Sequence, residues 1–388
     1  MKVAIIKECG EGESRVAASP ESVKKLAGLG LGVVVESGAG ARAHFSDDEY
    51  RGVGADIAAD ADGALADADV LLTVERPSRA SVSRLRRGAL LIGQLAPYED
   101  RGDIDFYAEC GIDAFAMELM PRISRAQSMD VLSSQSNLAG YKAVIDAAAV
   151  FDRAMPMMMT AAGTVAPARV LVLGAGVAGL QAIATARRLG AIVSATDVRP
   201  VAKEQVESLG ATFVMVESEE TAQAETAGGY AKEMSEDYKR RQAELVAETL
   251  KKQDIVICTA LIPGRPAPVL VTRAMAESMR PGSIIVDLAV EQGGNCELSR
   301  AGEIVDHQGV RIIGYRNVPG RLPVDASALY ARNLFNFVAP FVNAENGAVD
   351  MDWEDELITG TALTRGGSVV HPLLTGNADS KADKTGGS

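Results

Sequence analysis

The chain has 388 residues, more than one hydrophobic core ordinarily serves, so two domains are expected. Its composition, 47% hydrophobic and only 4% aromatic with 38 glycines, suits short strands and helices alternating through glycine turns, an α/β class. A formal net charge of −13 argues against nucleic acid or an anionic membrane surface as a direct partner, because both attract Lys and Arg.

The opening MKVAIIKECG predicts a strand and lacks the basic and apolar regions of a signal peptide. From there VAIIK, LGVVVES, DVLLTV, ALLIGQ and DAFAME predict the strands of one α/β domain, and stretches such as PESVKKLAGLG predict the helices between them. AGYKAVIDAAAVFDRAMPMMM predicts a long buried helix interrupted by Pro156, with Met155 to Met159 as core filling. RVLVLG, AIVSATD, TFVMV, DIVICTA, SIIVDLA and RIIGYR predict a second α/β series. Within it, AETAGGYAKEMS carries a double glycine beside Tyr230 and suits either a hinged loop or a plain surface loop; the charged residues after it suit a solvated helix.

After Arg321, DASALYARNLFNFVAPFV predicts a helix in a segment too small to fold alone, which is expected to pack back on the first domain. The expected organisation is residues 1–137 with 320–378 as one discontinuous domain, 138–319 as a second, and a disordered polar tail over 379–388. No apolar run reaches the roughly 18 residues of a membrane span, so a cytoplasmic chain without direct membrane insertion is expected. Cys9, Cys110, Cys258 and Cys296 form no CxxC pair and predict buried structural thiols, with no metal site. His44, His307 and His371 match no nucleophile or metal spacing and are expected to be structural.

The strongest chemical signal is RVLVLGAGVAGLQAIATARRLGAIVSATD. Gly174, Gly176 and Gly179 form GxGxxG directly after an apolar strand and at the start of an Ala-rich helix, the context a dinucleotide-binding turn needs. Gly174 permits the tight turn, Gly176 lets the backbone approach a pyrophosphate, and Gly179 allows close helix packing; Val177 and Ala178 lie at the helix N-terminus, whose amides and dipole favour phosphate. Asp197, at the end of the next strand, suits the adenosine ribose hydroxyls and would repel a 2′-phosphate, favouring NAD(H), although Arg199 could accommodate that phosphate. The expected fold is therefore α/β, two Rossmann-like doubly wound parallel-sheet domains with a cleft between them.

ESRVAASPESV, PRISRAQSMDVLSSQSNLAGYKAV, TALIPGRPAPVL and PGSIIVDLAVEQGGN together resemble the alanine dehydrogenase and transhydrogenase family over nearly the whole chain. RISRAQSMDVLSSQSNLAG and the AETAGGYAKEM loop resemble its transhydrogenase branch. The resemblance implies that Arg122, Gln127, Asp130 and Ser133 handle the nicotinamide end of NAD(H), Arg122 and Asp130 holding carboxamide and ribose. It further implies that Gln127 reaches toward NADP(H) on a partner component, that Tyr230 sits on a loop closing over the nucleotide, and that Leu261 belongs to the nucleotide site. A membrane-spanning proton-channel partner, peripheral attachment to the inner face of the membrane and homodimerisation are implied likewise. The residues alone are equally compatible with a hydrogen-bonded loop at a domain junction.

Alanine dehydrogenases of the family carry a lysine and a histidine for substrate binding and proton transfer where this chain has Thr73 and Gln94, and the acid after the late strand is Glu291. Amine oxidation through an imine needs acid–base groups, which Thr73 and Gln94 cannot supply. Hydride transfer between two nicotinamides moves no proton at the reacting carbons and needs only alignment and exclusion of water. Arg15 matches an alanine dehydrogenase substrate residue and keeps that alternative open; a catalytically silent NAD-binding regulator is a third.

Overall fold

A computed structural model describes residues 1–199, 201–216, 235–262, 264–343 and 346–376. It divides into two compact units, Met1–Gln135 with Gly320–Ser388, and Ser136–Pro319.

The first unit is built on six parallel strands: β1 (Lys2–Ile5), β2 (Gly32–Glu36), β3 (Asp56–Ala58), β4 (Val70–Leu72), β5 (Leu90–Gly93) and β6 (Asp113–Ala116). Their order is β3-β2-β1-β4-β5-β6. A parallel sheet needs cover on both faces, and successive side chains supply it by pointing to opposite sides. Val3, Ile5, Val70, Leu72 and Ile92 enter one core, Ala4, Leu71, Leu91 and Ala114 the other. The first of these cores is completed by Tyr330, Leu334, Phe337 and Val338 from the helix Pro323–Val338, so the chain returns to this unit after leaving it. Ser19 and Ser46 each close a capping box, which fixes where the helices Pro20–Gly28 and Asp47–Gly52 begin.

The second unit begins within the helix Val131–Val150 and continues into a small hairpin, β7 (Met158–Thr160) and β8 (Gly163–Val165). Its sheet follows: β9 (Arg169–Leu173), β10 (Ile192–Thr196), β11 (Thr212–Phe213), β12 (Ile255–Cys258), β13 (Ile284–Asp287), β14 (Ile304–His307) and β15 (Val310–Ile313). The order is β11-β10-β9-β12-β13-β15-β14, parallel except for the antiparallel pair β14 and β15. Val170, Val172, Ile255 and Ile257 face one core, Leu171, Leu173, Val256 and Cys258 the other. The α/β class of two mainly parallel sheets is the expected one. The short strands β3 and β14 carry too little apolar sequence to be anticipated.

Two expectations about burial need correction. The helix begins at Val131 and ends at Val150, and the methionines that follow are mostly outside the core: Met155 is buried, but Met157, Met158 and Met159 are exposed along β7 and beside it. Pro156 cannot continue a helix, and its ring packs where a Cβ on Gly190 would lie, 2.6 Å from the proline Cβ; the chain turns there into the hairpin. Among the cysteines only Cys258 and Cys296 are buried, whereas Cys9 is exposed and Cys110 half-buried, because Cys9 lies past the end of β1 and Cys110 in the last turn of the helix Arg101–Cys110. The charged helix is present as Glu236–Leu250, with Arg240 paired to Asp237 and Glu244; Tyr230 and the tail over 379–388 lie outside the described residues.

Among the described residues no helix is long and apolar enough to cross a membrane.

Candidate functional site

In the second unit the turn after β9 is shaped by its glycines. Gly174 has φ +99°, a conformation L side chains rarely adopt, and a Cβ there would lie 2.7 Å from Thr259 Oγ1. A Cβ on Gly179 would stand 1.9 Å from the Gly174 carbonyl oxygen, so the helix Val177–Arg188 can seat against the turn only with glycine at that position. Gly176 differs: among the described residues nothing lies within 4 Å of a Cβ built on it, so its lack of a side chain leaves space over the backbone rather than relieving a clash. Gly176 is also the N-cap of that helix and supplies no side-chain hydrogen bond to the first amides, those of exposed Val177 and half-buried Ala178. Open backbone, uncapped amides and the positive end of a helix dipole together make a cradle for an anion such as a pyrophosphate.

Asp197, just past β10, ties this cradle together. Its Oδ2 accepts from Ala175 N–H at 2.7 Å, inside the glycine turn, and its carboxylate pairs with Arg199 through Nε at 2.9 Å and Nη2 at 3.0 Å. Burial by itself would raise the Asp197 pKa, but the Arg199 guanidinium and the two backbone amides outweigh it and hold the carboxyl below its ordinary range. Arg199 is thus committed to Asp197 instead of standing as a second, independent anion site.

The strand order β10-β9-β12 places the loops after β10 and β12 on either side of the turn. They expose Val198 and Val201 on one side and Leu261 and Ile262 on the other, apolar surface suited to a planar base. The β12 loop is pinned by Asn295, fully buried, which accepts from Ala260 N–H at 3.0 Å and donates to the carbonyls of Ala260 and Pro268 at 2.9 and 2.8 Å. Asp287 in turn holds the segment that carries Asn295, accepting from Cys296 N–H at 3.0 Å and Ser299 Oγ at 2.6 Å. Neither residue could be singled out in PGSIIVDLAVEQGGN, because Asn295 acts on backbone groups of a loop distant in sequence and Asp287 acts by holding the segment that carries Asn295.

In the first unit the residues Arg122 to Ser133 form a loop around a 3-10 turn, Ser124–Met129, leading into the helix Val131–Val150. Side chains three apart eclipse in such a turn. Ala126 and Met129 accordingly both sink into the core, while Gln127 is exposed, Arg122 is exposed and Asp130 is half-buried. Asp130 accepts from Ser133 N–H at 2.9 Å and from the Ser133 hydroxyl, capping the helix that follows. Arg125 forms a two-pronged pair with Asp355, the N-cap of the helix Glu356–Thr361.

The carboxyl ends of the first unit's strands carry a buried polar cluster. Arg15 is clamped by Glu13 through Nε at 2.8 Å and Nη2 at 2.6 Å, and its Nη1 donates to Gln135 Oε1 at 3.0 Å. Thr73 is buried and donates to Glu8 Oε1 at 3.2 Å. The Tyr330 hydroxyl accepts from Gln94 N–H at 3.1 Å and donates toward the carbonyls of Thr73 and Val74. Glu291, in the second unit, is exposed and accepts from Asn317 N–H at 3.0 Å.

Thr73 and Gln94 supply no acid–base group at this edge, but two carboxyls that sequence did not single out stand there, and burial raises Glu8 to about 7 and Glu118 to about 7. Glu118 Oε1 accepts from Ala96 N–H at 2.6 Å, while its Oε2 is buried with no hydrogen-bond partner among the described residues, which favours a proton there. A neutral Glu118 has a measurable consequence. The unfolded chain releases this proton near pH 4.5 and the native chain near 7, so stability is greatest below that window and falls as pH rises through it. Some of the residue is exposed, so the change is on the order of 1–3 kcal/mol. Glu118→Gln is expected to flatten the slope of urea midpoints between pH 4.5 and 7, and an unchanged slope would assign the titration elsewhere.

The geometry is that of a dinucleotide-binding turn in one unit and a polar loop in the other. The family "Alanine dehydrogenase/PNT, N-terminal domain" matches residues 4–139, and "Alanine dehydrogenase/PNT, C-terminal domain" matches 143–372. The chain therefore belongs to the alanine dehydrogenase/PNT family of oxidoreductases, and within it to the NAD(P) transhydrogenase alpha subunits. It is 58% identical over 381 residues to an NAD(P) transhydrogenase subunit alpha chain of Rhodospirillum rubrum, covering 97% of this chain and 99% of that one. A crystal structure of a transhydrogenase from Sinorhizobium meliloti superposes with TM-score 0.87 at 56% identity, over 95% of this chain and 100% of the other. The alanine dehydrogenase of Mycobacterium tuberculosis is more distant, 30% identical over 94% of this chain and 92% of its own length.

Proposed function

We propose that this chain binds NAD(H) as the soluble component of a proton-translocating transhydrogenase and hands a hydride to NADP⁺ on a partner component. The observation that carries the reading is the cradle at Gly174, Gly176 and Gly179 with Asp197 locked to its rim, which fits the diphosphate and unphosphorylated ribose of NAD(H). When bound, the nicotinamide supplies hydride chemistry: the C4 hydrogen leaves with its electron pair and joins C4 of the acceptor ring, leaving NAD⁺ and forming NADPH. Val177 and Ala178 amides hold the phosphates, Val198 and Leu261 face the base, and Asp197 and Arg199 set the ribose preference. Arg122, Gln127, Asp130 and Ser133 orient the nicotinamide end, with Gln127 toward the second nucleotide and Tyr230 on the closing loop.

The partners in this reading are an NADP(H)-binding component and a membrane-spanning proton-channel subunit, through which the chain sits at the cytoplasmic face of the membrane. Homodimerisation, implied by the family, is supported by the three exposed methionines Met157, Met158 and Met159 at the β7–β8 hairpin. The alanine dehydrogenase alternative is disfavoured by Arg15, which is buried and has its charge paired with Glu13 and three of its five N–H donors engaged by Glu13 and Gln135.

The test is hydride exchange between NADH and a thio-NADP⁺ analogue, with the chain and an NADP(H)-binding transhydrogenase component. Gln127→Ala is expected to lower exchange at least ~100-fold while NADH binding to the chain changes little. Pyruvate- and ammonia-dependent NADH oxidation by the chain alone would return the amino-acid dehydrogenase reading instead.

A further inference from the structure

The loop that carries Gln127 has one backbone oxygen held with unusual completeness. The Ser128 carbonyl, next in sequence to Gln127 and two residues before Asp130, accepts from two side-chain amides: Asn333 Nδ2 at 2.8 Å and Asn336 Nδ2 at 3.0 Å. Both lone pairs of that oxygen are thereby used. The two asparagines lie one turn apart on the helix Pro323–Val338, whose apolar side chains Tyr330, Leu334 and Phe337 are buried in the first unit's core, so the donors stand on a rigid element.

Asn333 is itself oriented. It is buried, and its Oδ1 accepts from Ser134 Oγ at 2.7 Å, which leaves the Nδ2 end to face Ser128. Ser134 Oγ receives Gln135 Nε2 at 3.3 Å, Gln135 Nε2 also donates to the Ala326 carbonyl at 3.1 Å, and Gln135 Oε1 receives Arg15. The amide cannot turn over without setting two oxygens against each other at Ser128 and giving up the 2.7 Å bond from the Ser134 hydroxyl, whose other acceptor is the Val131 carbonyl at 3.2 Å.

We propose that Asn333 is the positioning residue of the hydride-transfer loop, fixing the Ser128 carbonyl and so the direction in which Gln127 and Asp130 are presented. The assignment rests on the reading of that loop given above. The other attachments do less to set direction. Ala126 and Met129 give burial, which is not directional, and Arg125 is exposed on its side of the pair with Asp355, where solvent screens the attraction. A displacement of about 1 Å of a positioning group can cost on the order of 100-fold in rate without removing any group that touches the nucleotide.

The experiment compares Asn333→Asp, Ser134→Ala and Gln127→Ala in the full chain with the NADP(H)-binding component. NADH affinity is read by fluorescence titration and hydride exchange by thio-NADPH formation under single turnover. Asn333→Asp is isosteric and replaces the donor with an acceptor; it is expected to lower exchange about 30-fold while NADH affinity stays within about threefold. Ser134→Ala leaves the Ser128 bond possible but removes the hydrogen bond that holds the other end of the amide, and is expected to lower exchange about threefold in a chain of wild-type Tm. It decides the matter if Asn333→Asp does not fold. Wild-type exchange in either folded variant, beside a Gln127→Ala chain that has lost it, overturns the positioning role alone. Exchange that survives Gln127→Ala overturns the loop reading and this assignment together. Loss of NADH affinity in parallel with exchange would show a general structural role and likewise overturn it.

Discussion

Gly140→Ala is expected to unseat the nucleotide cradle although residue 140 lies 34 positions before the first glycine of the motif. Gly140 is in the helix Val131–Val150, and a Cβ there would fall 2.0 Å from the Ala178 carbonyl oxygen and 2.8 Å from its carbon. Both are backbone atoms, so no rotamer change relieves the contact; one helix must move. Ala178 is in the first turn of the helix Val177–Arg188, whose amides face the proposed phosphates. Overpacking of this kind costs about 3 kcal/mol, and alanine's better helix propensity returns only about 1 kcal/mol of it. We expect a Tm lower by several degrees and NADH affinity reduced at least tenfold. Calorimetry and fluorescence titration check the two, and a stable variant with wild-type affinity would show that the helices part without disturbing the turn.

Asp197→Asn is expected to change which nucleotide the chain prefers. Asp197 makes four hydrogen bonds at once, to the Ala175 and Arg199 amides and twice to the Arg199 guanidinium. Removing its charge releases Arg199, abolishes repulsion of a 2′-phosphate and replaces one acceptor with a donor at the rim of the turn. NADH affinity is expected to fall about 30-fold and NADPH affinity to rise, narrowing the preference by about 100-fold, or roughly 3 kcal/mol. Titration of both nucleotides into the variant measures this. An unchanged ratio would mean that discrimination lies outside the Asp197–Arg199 pair.

These two residues also mark what sequence can and cannot reveal. Asp197 is legible because the turn, the following helix and the acid at the end of the next strand occur in one continuous stretch with known spacing. Gly140 is not, since its requirement comes from Ala178, and a glycine in an Ala-rich helix leaves no periodic trace. Asn333 and Asn295 are hidden for a related reason: each satisfies backbone groups on a segment far away in the chain, and an asparagine in a helix or loop carries no pattern of its own. The strands of both sheets other than β3 and β14 are visible as apolar runs. The hairpin after Val150 is not, because methionine fills cores and exposed ribbons alike and only the position of Pro156 against Gly190 decides between them.

The helix Pro323–Val338 supplies four large side chains to a core whose strands end at Ala116. During synthesis those strands emerge first yet have to wait for roughly 200 further residues before that face can be covered, whereas the sheet from Arg169 to Ile313 comes out of the ribosome as an uninterrupted stretch. The later unit is thus the one able to acquire its native structure earlier. The apolar face of the earlier one, with Val3, Ile5, Leu72 and Ile92, is covered only in part by Val23, Leu26 and Tyr50 until that helix arrives.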